Sequence, residues 1–198
     1  TRAKQAGKRT GLVSTCRITH ATPAGFATNS PDRDMEEEIL AQYLDREVDV
    51  LLGGGAEKFM QTSTDGSRID YFKKFEQAGY SVVRSKSHLT RRVARDKPLL
   101  GVFSDSHIPY AIDRKNDNSL SNVPGLKDMF EVALKNLEGS EKGFVLQVEA
   151  GRVDHAGDAN DPGDILHDQL EYDDCIPVAL DDIAKHPDTI LVVTTDHG

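Results

Sequence analysis

Two apolar runs of this sequence, at 143–148 and 189–195, each lead into side chains that can bind metal ions. Those side chains are Glu149, Asp154, His155, Asp158, Asp196 and His197. A short, continuous apolar run is typical of a strand that is buried on both faces in a parallel sheet. Ligands of open α/β sheets bind just beyond the carboxyl ends of such strands, so we expect the two groups to meet at one edge.

Placing these carboxylates close together would cost free energy unless a cation lay among them. Carboxylates held together repel one another, and the repulsion raises their pKa values. A divalent metal removes that cost, and carboxylate oxygens with imidazole nitrogens suit zinc and magnesium. Either Asp-His pair alone would indicate only a turn, but the repetition at the ends of two strands favours a metal site.

Composition excludes some classes of protein. The 198 residues are 37% hydrophobic and 29% charged, which is ordinary for a globular protein, and the formal net charge is −9. An acidic chain is a poor partner for a nucleic-acid backbone. No apolar run is long enough for a membrane span, and the polar, basic start at residues 1–9 predicts no signal peptide in this chain. Cys16 and Cys175 lack metal-binding spacing, so buried free thiols are favoured, with one disulfide left open.

Predicted strands and helices alternate along the chain, and these elements must position the acids. Residues 10–18 are predicted to form a strand that leads into a helix start at Pro23, with Thr22 before it as the N-cap residue. Capping is the favoured role of Thr22 on this pattern alone. Residues 33–46 form an amphipathic helix whose first turn, Glu36 to Glu38, is expected to face water. Strands that alternate with helices predict an α/β layered fold, here as a single domain over 1–198.

Other segments are predicted to be structural. The glycines at 53–55 lack a nucleotide-binding pattern, and the polar stretch 111–124 indicates a surface loop. The serines and proline around His107 favour a turn over a metal ligand, and the basic residues at 86–97 favour a solvated face over a phosphate site. Residues 164–185 are predicted to form the longest helix, kinked at Pro177.

Several ordered motifs resemble those of the alkaline phosphatases. The stretch 149–158 (EAGRVDHAGD) resembles the metal-binding loop of that family, 194–198 (TTDHG) its second zinc motif, and 19–23 (THATP) its magnesium-threonine segment. Arg33 follows Thr22 at the distance of the family's phosphate-binding arginine. The likeness spans most of the chain and implies the central part of a catalytic domain, with an incomplete three-layer α/β/α sandwich around a largely parallel sheet.

The resemblance implies two zinc ions and one magnesium ion. By position, Asp154 would bind the first zinc, Asp196 and His197 the second, and Thr22 and Glu149 the magnesium, with His20 close by. Arg33 would bind two phosphate oxygens through its planar guanidinium, and His155 would lie near the phosphate. The substrates would be phosphate monoesters, with inorganic phosphate as product. The family also implies a periplasmic or secreted location and allows a homodimer.

Two departures from the family pattern limit the activity that we expect of this chain. Asp158 stands where the family has a histidine for the first zinc, and a carboxylate there is a harder, charged ligand. No residue of this chain matches the family's nucleophilic serine, which would lie before Thr1, and the last zinc histidine would lie after Gly198. The chain alone is therefore expected to have negligible turnover.

Three other functions remain open at this point. One is a related phosphodiesterase, sulfatase or phosphomutase, against which the segments at 19–23 and 149–158 favour a monoesterase. A second is a non-catalytic protein that binds metal or phosphate, which Asp158 and the unmatched serine would suit. The third is a structural α/β domain with incidental acids.

Overall fold

The computed structural model describes residues 2–62, 66–91, 97–195 and 197. Its strands are β1 (Arg9–Arg17), β2 (Val50–Gly54), β3 (Met60–Thr62), β4 (Arg68–Asp70), β5 (Ser81–Val83), β6 (Leu99–Val102) and β7 (Phe144–Glu149). Its helices are α1 (Arg2–Gln5), α2 (Ala21–Ala27), α3 (Glu36–Asp45), α4 (Tyr71–Gln77), α5 (Lys86–Thr90), α6 (Ala111–Asn116), α7 (Leu126–Leu137), α8 (Arg152–Asp158), α9 (Pro162–Asp173) and α10 (Cys175–Lys185).

Five of the strands form one parallel sheet in the order β5-β6-β2-β1-β7. The short strands β3 and β4 pair separately and antiparallel. Because all five strands of the main sheet point the same way, the loops that leave their carboxyl ends emerge at one edge. That edge carries the candidate site.

Two apolar cores cover the two faces of this sheet. Leu12, Leu51 and Leu100 are paired neighbours on β1, β2 and β6, and they pack with the buried side chains of α3 and α4. Val13 and Leu52 point to the opposite face and pack against α7 and α10. Alternate residues of each strand thus enter different cores, as the two-residue period of a strand requires. The predicted three-layer α/β/α sandwich with a parallel sheet is confirmed.

The predicted last strand, at 189–195, is wrong for the described structure. These residues have no regular secondary structure and lie outside the sheet, and Ile190 is 87% exposed. Strand β7 is likewise not buried on both faces as predicted: none of its residues is fully buried, and Val145 is 45% exposed. It lies at the edge of the sheet, with β1 as its one neighbour among the described strands. β-branched composition gives a segment the capacity to form a strand, but a strand needs a hydrogen-bonding partner.

Two predictions about helices are also corrected. Residues 162–185 form two helices that meet at Asp174, so Pro177 lies in the first turn of α10, where its missing N–H costs little. The polar stretch 111–124, predicted as a loop, contains α6 and a 3₁₀ turn. In the described part of the chain, no helix has the length and apolarity that crossing a bilayer requires.

Candidate active site

Three imidazoles meet at the carboxyl edge of the sheet. His20 follows β1, His107 follows β6 and His155 lies in α8 after β7. Their ring centroids are 5.5 Å apart for His20–His107 and for His20–His155, and 4.4 Å apart for His107–His155. Each pair is edge-to-face. Three loops that are distant in sequence therefore deliver one cluster, which we call the imidazole cluster (His20, His107 and His155).

The loop that carries His107 is fixed by the backbone of its neighbours. The N–H groups of Gly55 and Ala56 donate to the Ser104 carbonyl at 3.0 and 2.9 Å, and the Ile108 N–H donates to the Thr15 carbonyl at 2.9 Å. The loop also lies against Gly54, where an added Cβ would be 2.2 Å from the Ser106 carbonyl oxygen. Gly54, the last residue of β2, therefore allows this loop to pack directly against the strand.

The imidazoles are neutral at neutral pH. Burial, followed by the positive charges of Arg17 and Arg33, lowers the pKa of His20 to about 4. Burial first, then the neighbouring His155 and Arg17, lowers the pKa of His107 to about 3. The pKa of His155 is lowered by burial and by Arg152. Neutral rings can accept hydrogen bonds or bind metals.

Arginines lie close to every ring of the cluster. Arg33 Nη2 is 3.2 Å from His20 Nε2, and Arg152 Nη1 is 2.8 Å from His155 Nδ1. A guanidinium can only donate, so His20 Nε2 and His155 Nδ1 are the acceptors. The Arg17 N–H donates to His107 Nδ1 at 3.2 Å, and Arg17 Nη1 is 2.9 Å from His107 Nε2. The cluster thus lies in a positively charged frame.

Glu36 holds one of these arginines in place, contrary to the prediction that it faces water. It is 4% exposed, and its Oε1 is 3.1 Å from Arg17 Nη2 and 3.4 Å from Lys58 Nζ. Thr19 donates a short hydrogen bond to the same carboxylate. Although burial opposes the charge, the bonds from Thr19 and Arg17 hold the pKa of Glu36 below its usual value. The acid therefore fixes Arg17 against His107.

Glu149 ends β7 beside the first strand. Its Oε2 accepts from Ser14 Oγ at 2.5 Å, and Ser14 Oγ accepts from the Cys16 N–H at 2.8 Å. The buried Cys16 thiol has a pKa raised by burial and then by the charge of Glu149. Cys16 Sγ is 4.0 Å from His155 Nε2, which joins this chain of contacts to the imidazole cluster.

The two acid-bearing stretches meet, as the sequence predicts. His197 Nε2 is 3.0 Å from Asp154 Oδ1, although the residues are 43 positions apart. Asp154 is in the first turn of α8, and both side chains are partly exposed, at 41% for Asp154 and 65% for His197. A carboxylate and an imidazole at this spacing are a donor set that can bind zinc.

The other predicted ligands are less closely joined. Thr22 lies inside α2, whose N-cap residue is His20, so the predicted capping role of Thr22 is wrong. Asp158 is exposed at the end of α8, one turn beyond Asp154. Within 2–62, 66–91, 97–195 and 197, no hydrogen bond or ion pair joins Thr22 or Asp158 to another predicted metal ligand. Asp196 lies outside the described residues.

Sequence reasoning missed His107, Cys16, Arg152 and Glu36 as site residues. The sequence predicts a turn at His107, and residues 104–107 do bend, but the bend is what carries the imidazole to the cluster. A signal was available: β6 is another buried parallel strand, and its carboxyl end must reach the same edge as β1 and β7. Nothing local in the sequence separates Glu36 from Glu37 and Glu38.

Comparison with known proteins agrees with this arrangement. The sequence model of the alkaline phosphatase family matches residues 1–198. Alkaline phosphatase 3 of Bacillus subtilis is 36% identical over 202 aligned positions, which cover 99% of this chain and 41% of that protein. The chain therefore spans about two-fifths of that relative's length.

Solved structures give the same result. The crystal structure of Thermus thermophilus alkaline phosphatase superposes with a TM-score of 0.85 at 45% identity, covering 94% of this chain and 38% of that one. A cold-active alkaline phosphatase from a psychrophilic Shewanella gives a TM-score of 0.81 at 32% identity, covering 95% of this chain and 43% of the other. Sequence, fold and the meeting of the two acid-bearing stretches agree, and the chain belongs to the alkaline phosphatase family.

Proposed function

We propose that the complete protein hydrolyses phosphate monoesters through a phosphoserine intermediate. The observation that carries the proposal is the 3.0 Å contact between His197 Nε2 and Asp154 Oδ1, which joins the two stretches that resemble the family's zinc motifs. Membership of the alkaline phosphatase family supports the same reaction. We further propose a periplasmic or secreted location and a homodimer, both on family resemblance alone.

The residues present fit the metals that the family implies. We propose Asp154 as a ligand of a first zinc ion and Asp196 with His197 as ligands of a second. Glu149 and Thr22 offer hard oxygens for magnesium. When bound, such ions lower the pKa of a coordinated water and stabilise a leaving oxygen. Asp158 in place of a histidine adds negative charge to the first zinc site and favours a harder metal there.

In this proposal Arg33 binds two phosphate oxygens, and His20 orients it. His20 Nε2 accepts from Arg33 Nη2 at 3.2 Å, so the guanidinium is held at one corner while its other N–H groups stay available. The lowered pKa of His20, at about 4, supports this role because a protonated ring could not accept the bond. His155, neutral for the same reason, donates from Nε2 toward the phosphate.

The experiment uses the full-length protein with zinc and magnesium and compares a phosphate monoester with a phosphodiester and a sulfate ester. We expect monoester turnover to dominate. Arg33→Lys should lower kcat/KM by about 10- to 100-fold, because lysine cannot form the two parallel bonds. Arg68→Lys, at an exposed residue of β4, is the matched control and should keep full activity.

Two outcomes would contradict the proposal. Unchanged kcat/KM in Arg33→Lys would remove the phosphate-binding role of Arg33, and preferred turnover of the diester or sulfate ester would move the protein to a related reaction. A second candidate, non-catalytic binding, is favoured by Asp158 at the first zinc position. Calorimetric titration with phosphate would support it if the full-length protein bound phosphate tightly but turned over no ester.

A further inference from the structure

The cysteine next to the imidazole cluster has no part in the proposed reaction. Cys16 is 1% exposed at the end of β1, and its sulfur faces His155 Nε2 at 4.0 Å. One ligand atom each from Cys16, His107 and His155 lies within 4.8 Å of the other two. These three side chains come from β1, the loop after β6, and α8, so the fold and not the local sequence brings them together.

The spacing of these atoms suits a single metal ion. Zinc lies about 2.3 Å from a thiolate sulfur and about 2.0–2.1 Å from an imidazole nitrogen, so ligands at trigonal angles are about 3.8 Å apart. The 4.0 Å between Cys16 Sγ and His155 Nε2 is close to that separation. Two imidazoles with one thiolate in a trigonal set are typical of copper and zinc sites.

We propose that Cys16, His107 and His155 form a binding site for one thiophilic transition-metal ion, distinct from the Asp154–His197 pair. The ligand class is a soft or borderline cation such as Zn²⁺, Co²⁺ or Cu⁺. Binding forms a metal–sulfur bond and releases the thiol proton to water, with no change of oxidation state. The inference does not depend on the proposed phosphatase activity, because it concerns the binding of the ion itself. An ion on His155 Nε2 and donation from that atom to phosphate exclude each other, so the two are alternative states of the ring.

The neighbours of the site are arranged for close approach to the sulfur. Gly151 precedes α8, and an added Cβ there would be 2.5 Å from Cys16 Sγ. This glycine allows the start of α8 to lie directly on the thiol, which brings His155, one turn later, within reach. An ion can therefore approach the sulfur from the side of the imidazoles, whereas the backbone at Gly151 covers its other side.

Two arginines contact the imidazole nitrogens of the site and oppose its occupation by an ion. Arg152 Nη1 donates to His155 Nδ1 at 2.8 Å, whereas a His155 that binds metal through Nε2 must carry its proton on Nδ1. Arg152 must therefore turn away when an ion binds. Its Nε is buried without an acceptor in the described part of the chain, so stacking on Tyr110, at 3.6 Å from the ring centroid, is its main other contact.

Ligation by His107 likewise replaces a contact with Arg17. Both ring nitrogens of His107 face donors of Arg17, at 3.2 and 2.9 Å, but a neutral ring can accept only one of these bonds. Arg17 keeps its ion pair with Glu36 at 3.1 Å when it gives up one of them. A metal ion on one nitrogen of His107 leaves the proton on the other, so ligation also removes the one hydrogen bond that the ring accepts from Arg17.

The test titrates the reduced full-length protein with Co²⁺ and follows the thiolate-to-cobalt charge-transfer absorption, which carboxylate and imidazole sites do not produce. We expect the band to appear and to vanish in Cys16→Ser. Cys175→Ser is the matched control, because Cys175 is equally buried, in α10, and should keep the full band. A band that persists in Cys16→Ser, or the absence of a band in the wild-type protein, would overturn the proposal.

Two further variants separate metal binding from misfolding. His107→Gln should weaken Co²⁺ binding at this site by at least about tenfold while the circular dichroism of the protein stays unchanged. Arg152→Gln should tighten binding by about tenfold or more, since it removes the donor at His155 Nδ1 and a nearby positive charge, whereas Arg152→Lys keeps the charge and should gain less. Weaker binding in Arg152→Gln would refute the site.

Discussion

Gly151→Ala should destabilise the protein, because the added methyl group would lie too close to the sulfur of Cys16. Gly151 has helical dihedral angles, with φ −64° and ψ −13°, so alanine brings no backbone strain there. Its Cβ would, however, lie 2.5 Å from Cys16 Sγ and 2.9 Å from Glu149 Cδ, against 3.4–4 Å for ordinary contact. Neither neighbour moves freely, because the thiol is buried and the carboxylate is bonded to Ser14.

The same helix provides a control of opposite sign. Gly157 lies in α8 and has nothing within 4 Å of an added Cβ. Gly157→Ala should therefore stabilise the protein by about 0.4–1 kcal/mol, because alanine restricts the unfolded chain. Overpacking at Gly151→Ala should cost about 1–3 kcal/mol. Each variant adds one methyl group to the wild-type protein, and the unfolding free energies of the two variants should differ by roughly 1.4–4 kcal/mol.

Urea denaturation followed by circular dichroism measures the difference. A second substitution tests the cause: Cys16→Ala removes the sulfur that the methyl group meets, so part of the loss in Gly151→Ala should disappear in the double variant. The rescue should be partial, since Glu149 Cδ remains close. Equal midpoints for Gly151→Ala and Gly157→Ala, or strictly additive effects with Cys16→Ala, would refute the steric argument.

Two more predictions concern buried acids. The pKa of Glu36 is below its unfolded value of 4.5, so its charge stabilises the fold above that pH, and the contribution is lost as the pH falls through the folded pKa. Glu36→Gln should therefore weaken the dependence of the unfolding free energy on pH between the folded and unfolded pKa values. An unchanged pH dependence would contradict the role of Glu36. Asp49 accepts from Lys4 Nζ at 3.0 Å, Arg9 Nε at 3.3 Å and the Thr10 N–H at 2.8 Å. Asp49→Ala should cost about 2–3 kcal/mol in urea denaturation, against roughly nothing for Asp45→Ala, at an exposed residue of α3.

The main sheet could be predicted because its strands carry their own signal. Buried runs such as Val50–Leu52 and Leu99–Val102 are apolar at consecutive positions, which a parallel strand under helices on both faces requires. The run 189–195 carries the same signal and yet stays outside the sheet. Its composition is a local property, whereas pairing depends on whether a neighbouring strand is placed to accept it.

The meeting of the two acid-bearing stretches was predictable from their residue types and repetition, although the run before His197 is not a strand. The acid-bearing stretches led to Asp154 and His197, which meet at 3.0 Å. Glu36 was not predictable, because a helix start rich in glutamate looks the same whether its first acid faces water or an arginine 19 positions earlier. The packing of α3 on the sheet decides which of the three glutamates faces inward. The local sequence pattern does not predict that packing.

Strand β2 contributes no functional side chain to the candidate site, but its Gly54 affects how the site is arranged. The carbonyl of Ser106 lies where any side chain at residue 54 would begin, 2.2 Å from the position of its first carbon. Enlarging that residue would push the neighbouring loop outward and carry His107 away from the other two rings, leaving every reactive group intact but separated. The space beside residue 54 is occupied by the loop backbone, so a side chain there would require a different path for the loop that carries His107.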